Sequence, residues 1–393
     1  MEKYSKWRDP GTGIQPFLPP VPATSESPLL VLYKAVAGFA SISRCAVLLV
    51  VALVYAVLVD IPERVLGPAL SRRITRIPSA ALCRLALFLM GYWWIGTEVA
   101  QVKRVREKIP VKVEVKAGDL IVANWTGYIE VLYLAFRYQP TFLLPIHEEA
   151  PASTADTSES ITTHTKFLGY KPVRLSTLLS LTAHTPTTFR TRLAGTITYP
   201  SIAHARSSLP GAPLVVFPEG TTSNARGLLK FSKGCLADVK VPVITYNVWI
   251  MFFKHPPPTV YTPTSTHTVP TPRFNPFPHM FTTQCASLLP RNLTCRILHP
   301  SNSPSSGSFL PSETLNLNSL TGNDTHENVL GGCCGVLMCQ LGRFKHVGLG
   351  WEDKEAFLKF FKSRKGAGSG TSGGRAMGGE GRRGGPGKAR TGR

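Results

Sequence analysis

The chain has 393 residues, 43% of them hydrophobic, which is room for one sizeable α/β domain with appendages or for two small domains. Its formal charge of +21 excludes an acidic surface and suits an anionic partner: nucleic acid, phospholipid headgroups or a polyanionic cosubstrate. The eight cysteines are scattered without a CxxC…CxxC pair, so neither a zinc module nor a secreted disulfide framework is expected, and no metal site is assigned.

Residues 1–28 are polar and proline-rich, with no basic segment running into a cleavable apolar core; they read as a flexible arm, not a signal peptide. Residues 29–96 hold two apolar stretches. The first is interrupted by Lys34 and Arg44. Its clean part, residues 45–59, covers about 22 Å as a helix against a bilayer core of about 30 Å. Crossing therefore needs residues 29–43 too, with Lys34 and Arg44 snorkelling or facing protein. The second stretch, residues 79–96, carries Arg84 and ends in Tyr92-Trp93-Trp94, an interfacial aromatic cluster. Arg72, Arg73 and Arg76 precede it and Lys103, Arg104 and Arg106 follow, which places both flanks on the same side of a membrane. The expectation is a membrane-associated helical hairpin whose second arm is re-entrant or interfacial. A buried soluble hairpin is the competing reading.

An α/β domain is expected over residues 110–255. Residues 111–115 alternate like an exposed strand, residues 120–123 form a buried one, residues 128–138 have helical spacing, and residues 141–146 return as a strand, a βαβ-type unit. A Ser/Thr-rich loop follows at residues 148–165. Further on, Leu214 to Phe217 is a short apolar run that Pro218 stops, so Glu219 is presented at the carboxyl end of a buried strand, where open α/β sheets bind ligands. Gly220 permits the turn. Thr221, Thr222, Ser223 and Asn224 add hydroxyls, an amide and closely spaced N–H groups suited to a phosphate or hydroxyl-bearing ligand. The plainer alternative is an ordinary turn with a solvated glutamate. Residues 256–325, rich in Pro, Ser and Thr, read as an irregular surface excursion, and residues 326–365 as C-terminal helices. Residues 366–393, basic and Gly-rich, read as a disordered tail; no recognition domain is expected beside it, so no specific nucleic-acid partner is expected. Asn124-Trp-Thr, Asn292-Leu-Thr and Asn323-Asp-Thr fit the glycosylation sequon, which carries no meaning on a cytosol-facing domain.

Phe217-Pro218-Glu219-Gly220-Thr221-Thr222-Ser223-Asn224, then Leu228-Leu229-Lys230-Phe231, then Val241-Pro242-Val243 resemble the third and fourth motifs of the glycerolipid acyltransferase (PlsC-like lysophospholipid acyltransferase) family. The resemblance is firm over residues 118–248 and looser to residue 362, where Gly342-Arg343-Phe344-Lys345 and residues 348–354 resemble a fungal vacuolar-protein-sorting and lysophosphatidate acyltransferase-like branch. It implies an α/β fold with a mixed sheet flanked by helices. It also implies O-acyl transfer from acyl-CoA, a co-substrate with no cofactor beside it, to a lysophospholipid, lysophosphatidate foremost. The implied place is the endoplasmic-reticulum membrane or a lipid droplet, with the catalytic domain facing the cytosol and membrane lipids as partners. By resemblance Phe217, Pro218, Glu219, Gly220 and Thr221 meet the glycerol phosphate, and Pro242 lies along the acyl-CoA groove. Gly169-Tyr170-Lys171-Pro172-Val173-Arg174 resembles the second motif, one residue short, and offers Arg174 to the substrate phosphate; Arg190 and Arg192 are fallbacks.

One residue departs from the pattern. The family's base is a His placed shortly before a helix-borne Asp; here the matching stretch is Asn124-Trp125-Thr126-Gly127-Tyr128-Ile129-Glu130. Glu130 stands for the carboxylate and Trp125 for the His, while Asn124 and Trp125 border the substrate. An indole cannot accept a proton, and a general base contributes about 10² to 10⁴ in rate. Three readings stay open. Glu130 is itself the base, its pKa raised by Trp125, Tyr128 and an apolar lid. Or a histidine comes from elsewhere, His147 first, ahead of His184 and His204. Or the chain is a degenerate acyltransferase, a membrane adaptor in lipid handling or vacuolar sorting that binds lipid and acyl-CoA without turnover.

Overall fold

The computed structural model describes residues 4–22, 28–66, 68–102, 113–148, 165–315 and 328–368. A mixed sheet of seven strands organises them: β1 (Ile95–Ala100), β2 (Leu120–Ala123), β3 (Thr141–His147), β4 (Phe167–Val173), β5 (Leu214–Val216), β6 (Val248–Lys254) and β7 (Leu293–Leu298), in the order β1-β7-β6-β2-β5-β3-β4. β2 pairs in parallel with β5 on one side and β6 on the other, and β3 continues the parallel run beyond β5. Four carboxyl ends therefore share one edge of the sheet. β4 and β7 run antiparallel to β3 and β6, and β1 lies parallel to β7 at the far edge.

Eleven helices surround the sheet in the described residues. α1 (Pro28–Tyr55) continues through a π-helical stretch, Ala56–Asp60, into α2 (Ile61–Val65); α3 (Pro68–Leu89), α4 (Ile129–Tyr138), α5 (Leu175–Leu181), α6 (Pro186–Arg192) and α7 (Ile202–Ser208) follow. The short α8 (Phe277–His279) and α9 (Pro311–Thr314) precede α10 (Val329–Gly342) and α11 (Trp351–Gly368). Strand alternation feeds two cores. Ile121, Val215 and Met251 pack with α3, α4 and α5 through Leu87, Ile129, Leu134 and Leu178. Leu120, Val122, Val216 and Ile250 pack with α7 and α10 through Ile202, Leu330 and Met338. Helices on both faces are why residues 120–123 and 214–216 read as unbroken apolar runs.

The helix Pro28–Val65 is long and apolar enough to cross a membrane, by length and composition. Leu30, Ala37, Ser41, Cys45, Leu48 and Val51 form its buried stripe, and Val31, Leu32, Phe39, Ile42 and Leu53 stand exposed. Arg44 faces protein: its guanidinium donates to the carbonyls of Cys285 and Ser287. α3 lies against α1 and α4.

Three expectations change. The N-terminal arm is docked, not flexible, over residues 4–22: Trp7 and Phe17 are buried against Leu229, Phe357 and Leu358, because two large aromatics in a polar segment find an apolar patch to cover. Residues 256–315 are more than a surface excursion, since they supply β7 to the interior of the sheet and bury Ser265, Thr266, His267 and Thr268. Residues 113–116 form no strand; residues 111–112, most of the 148–165 loop and nearly all of the basic tail lie outside the described residues.

Candidate active site

The shared edge of β2, β5 and β6 builds the site. The chain leaves β2 through Asn124 and Trp125, leaves β5 through Phe217, Pro218 and Glu219, and leaves β6 through His255. Asn124 couples two of these exits: its Nδ2 donates to the Phe253 carbonyl (3.1 Å) and its Oδ1 accepts from the Phe253 N–H (2.7 Å). The side chain thus prolongs the ladder between β2 and β6 and fixes where His255 emerges, two residues later.

Glu130, in the first turn of α4, is fully buried. Its Oε1 accepts from the Thr126 hydroxyl and lies 2.8 Å from His255 Nε2. His255 is itself 9% exposed. With Nε2–H donating to the carboxylate, Nδ1 is the acceptor tautomer's free nitrogen, and it is buried with no hydrogen-bond partner, as is Glu130 Oε2. Buried polar groups are nearly always paired, with protein, water or ligand, so these two atoms of one carboxylate–imidazole pair have hydrogen-bonding capacity that the protein does not fill. A neutral imidazole can accept a proton, which the Trp125 indole cannot. Trp125 instead fills space: its ring stacks on Phe217 with centroids 5.0 Å apart, and its Nε1–H donates to the Gly127 carbonyl (2.8 Å).

Glu219 anchors the other half. Its Oε1 accepts from the Trp125 N–H (3.0 Å) and its Oε2 from the Leu229 N–H (3.1 Å), so the glutamate straddles two loops. Burial pushes its carboxyl up to about 8, against the pull of those two donors. Gly220 adopts φ +65°, and a Cβ there would meet Pro186 Cγ at 3.2 Å, so the turn needs glycine on both counts. Thr221 donates to the His184 carbonyl and Thr222 to the His267 carbonyl. Lys354 from α11, fully buried, donates to the Thr222 carbonyl (2.6 Å) and hydroxyl (3.0 Å); burial holds its amine well below the usual lysine range, with Glu219 pulling it back up. The docked arm closes the loop from outside, where Asn224 Nδ2 donates to the carbonyls of Gln15 and Leu18.

Residues 261–288 cover the site. The His267 N–H donates to the Thr126 carbonyl (2.8 Å). The His267 and His279 rings lie 4.5 Å apart, and the Tyr128 hydroxyl is 3.2 Å from His279 Nδ1. Burial pushes these imidazoles down, to about 4 for His267 and about 3 for His279. Asn275 straps the cover to α5 by donating to the carbonyls of Ser180 and Thr182. From outside, α1 holds it through Ser41, whose hydroxyl donates to the Phe281 carbonyl, and through Tyr33 and Arg44.

No protein-family model matches the chain, and no solved structure matches it. It is 24% identical over 267 residues to a Schizosaccharomyces pombe protein named "Putative lysophosphatidic acid:oleoyl-CoA acyltransferase", a match covering 67% of this chain and 76% of that one. The similarity relates the chain to acyltransferases.

Several residues expected at the site lie elsewhere. His147 does not reach Glu130: it is buried beside Trp351, and its Nε2 is bound to the Ser232 hydroxyl (2.9 Å) and the Lys233 carbonyl (3.1 Å). Arg174 immediately precedes α5 at the opposite edge of the sheet, because β4 runs antiparallel to β3; it pairs with Glu63 of α2 at 3.8 Å. Pro242 is exposed before the amino end of β6, likewise at the far edge. His204, Arg190 and Arg192 are exposed on α7 and α6. Asn124, Trp125, Glu130, Phe217, Pro218, Glu219, Gly220 and Thr221 are brought together as one buried group. The sequence assigns no role to His255 or, within residues 348–354, to Lys354. The one available signal for His255 was that the apolar run Trp249–Phe253 ends as β2 and β5 do, in polar residues at a strand's carboxyl end.

Proposed function

We propose that the chain is a membrane-associated O-acyltransferase that moves a fatty acyl group from acyl-CoA to the hydroxyl of a lysophospholipid, with lysophosphatidate the first acceptor to test. The observation that carries this reading is the 2.8 Å contact of His255 Nε2 with Glu130 Oε1, with Nδ1 of the same ring buried and unpaired. The acyltransferase relative and the motif around Glu219 supply the reaction class. In the proposed step, His255 Nδ1 takes the acceptor's hydroxyl proton as its oxygen attacks the thioester carbonyl. A carbon–oxygen bond forms, the carbon–sulfur bond breaks, and the imidazolium returns the proton to the departing thiolate. Glu130 fixes the tautomer and stabilises the transient positive charge, the part a carboxylate plays behind a catalytic histidine. Glu219 holds the Trp125 and Leu229 loops at their spacing, a positioning role. The outward apolar face of α1 and the exposed Trp93 and Trp94 support attachment to a membrane, where a lysolipid resides.

The test is acyl transfer by the purified chain with acyl-CoA and lysophosphatidate, comparing His255→Ala with His147→Ala. His255→Ala is expected to lose about 10² to 10⁴ in kcat. His147→Ala, if it folds, should stay within a few-fold of the wild-type rate. Wild-type turnover in His255→Ala would remove the histidine from the mechanism, and no turnover by the wild-type chain on any lysolipid would remove the reading.

A further inference from the structure

A cavity of about 690 Å³ lies at the edge of the sheet remote from Glu130 and Glu219, beneath the amino ends of β3 and β5 and against α2 and α3. That volume falls within the roughly 300–1,000 Å³ of small-molecule sites. Its lining brings three guanidiniums, Arg72, Arg76 and Arg174, against a single carboxylate, Glu63. Each arginine is held by the protein with donors to spare. Arg72 reaches the Thr141 hydroxyl and the Pro210 carbonyl, Arg76 Nε donates to Gln139 Oε1 (3.1 Å), and Arg174 binds the Glu63 carbonyl (3.3 Å). A guanidinium carries five N–H donors, so these contacts orient the forks without exhausting them. The Arg174 side chain is 42% exposed, which leaves the cavity open to the outside.

The walls have a second property. α3 turns Arg72, Thr75, Arg76 and Ser79 toward the cavity and leaves Leu70, Ile74 and Ile77 exposed on its other face. Val57, Leu58, Ile61 and Val65 are exposed along the adjoining helix. The recess is cationic, and the helices that wall it turn uncovered aliphatic side chains away from it, faces suited to hydrocarbon.

We propose that this cavity binds the phosphate headgroup of an anionic glycerophospholipid, at a membrane that the outward apolar faces of α2 and α3 contact. Arginine forks bond two phosphate oxygens at once, and more than one of them on a single headgroup gives directional as well as electrostatic recognition. The site sits across the sheet from the reactive pair, so it is a docking site for bilayer lipid and goes beyond the acyl-transfer reading.

The test floats the full chain with vesicles of phosphatidylcholine, with and without phosphatidate. Wild type should favour the phosphatidate vesicles, and Arg72→Ala/Arg174→Ala should lose about tenfold or more of that preference. Arg190→Ala/Arg192→Ala, which removes the same charge from exposed positions on α6, should keep it. Equal losses in the two double variants would reduce the effect to unspecific electrostatics and overturn the site, as would equal wild-type retention on both vesicles. Inorganic phosphate that raises the wild-type melting temperature, with no phosphatidate preference, would overturn the lipid in favour of a soluble ligand. Should the alanine pair fail to fold, Arg72→Lys/Arg174→Lys serves: it should bind more weakly than wild type, and wild-type retention would sink the proposal. Acyl transfer measured on the same samples separates the two readings, since lipid preference without turnover removes the enzyme and leaves the cavity.

Discussion

His255 and Glu130 are 125 positions apart in the chain and meet at 2.8 Å, imidazole against carboxylate, with both side chains withdrawn from solvent. Glu130→Gln keeps the shape but replaces one acceptor oxygen with an amide donor, which removes the tautomer control. It should lower kcat by about 10²-fold or more while leaving the melting temperature within a few degrees. Because the two groups act as a unit, the double variant with His255→Ala should be no slower than the worse single variant. Multiplied losses in that cycle would separate them.

Glu219 gives a stability term with a definite sign. Its folded value of about 8 stands above the ordinary 4.5, so protonation is favoured by the fold. The contribution is whole below about pH 4.5 and is lost as pH rises through 8. Melting curves should show Glu219→Gln less stable than wild type at low pH, where an amide –NH₂ opposes the Trp125 or Leu229 N–H, and the gap should narrow toward pH 8. A gap independent of pH would contradict the raised value.

His279 acts in the opposite direction. Its folded value of about 3 lies below 6.5, so the unfolded chain takes up the proton first. Stability from the neutral ring is present above pH 6.5 and lost as pH falls toward 3. His279→Phe removes that titration. Relative to wild type it should become progressively more stable below pH 6.5, read as the difference in urea midpoint between the two proteins.

Phe17 tests the docked arm. It is 1% exposed and packs on Phe357, with ring centroids 5.7 Å apart. Phe17→Ala should cost about 3 kcal/mol or more if the arm stays docked. If the arm peels away, Asn224 loses the Gln15, Pro16 and Leu18 partners that steady the Glu219 loop. Limited proteolysis within residues 4–22 and a lowered kcat should then appear together.

Much of the sheet was legible because its central strands are short apolar runs closed by proline or polar residues: residues 120–123 and 214–216 fall where the pattern put them. The motif resemblance puts Glu130 and Glu219 in one site, and Glu219 also follows from leaving the carboxyl end of a buried strand. His255 did not, because its place depends on β6 lying parallel to β2. Three consecutive prolines after it also resemble the onset of an irregular segment. β7 was hidden in the same way. Leu293, Cys295 and Ile297 are buried in alternation, yet the surrounding Pro, Ser and Thr outweighed six residues of period two. Arg174 was misplaced because a linear motif carries no strand direction, and β4 reverses it to the far edge.

Asn124 shows how a sequence tag and a fold can compete for one atom. Its amide nitrogen is spent on the Phe253 carbonyl and the residue is 2% exposed, so a sugar attached there and the β2–β6 junction cannot coexist. A copy of the chain delivered to a compartment with oligosaccharide transfer would have to fold before that nitrogen is reached, or carry the glycan and forgo the junction that delivers the imidazole.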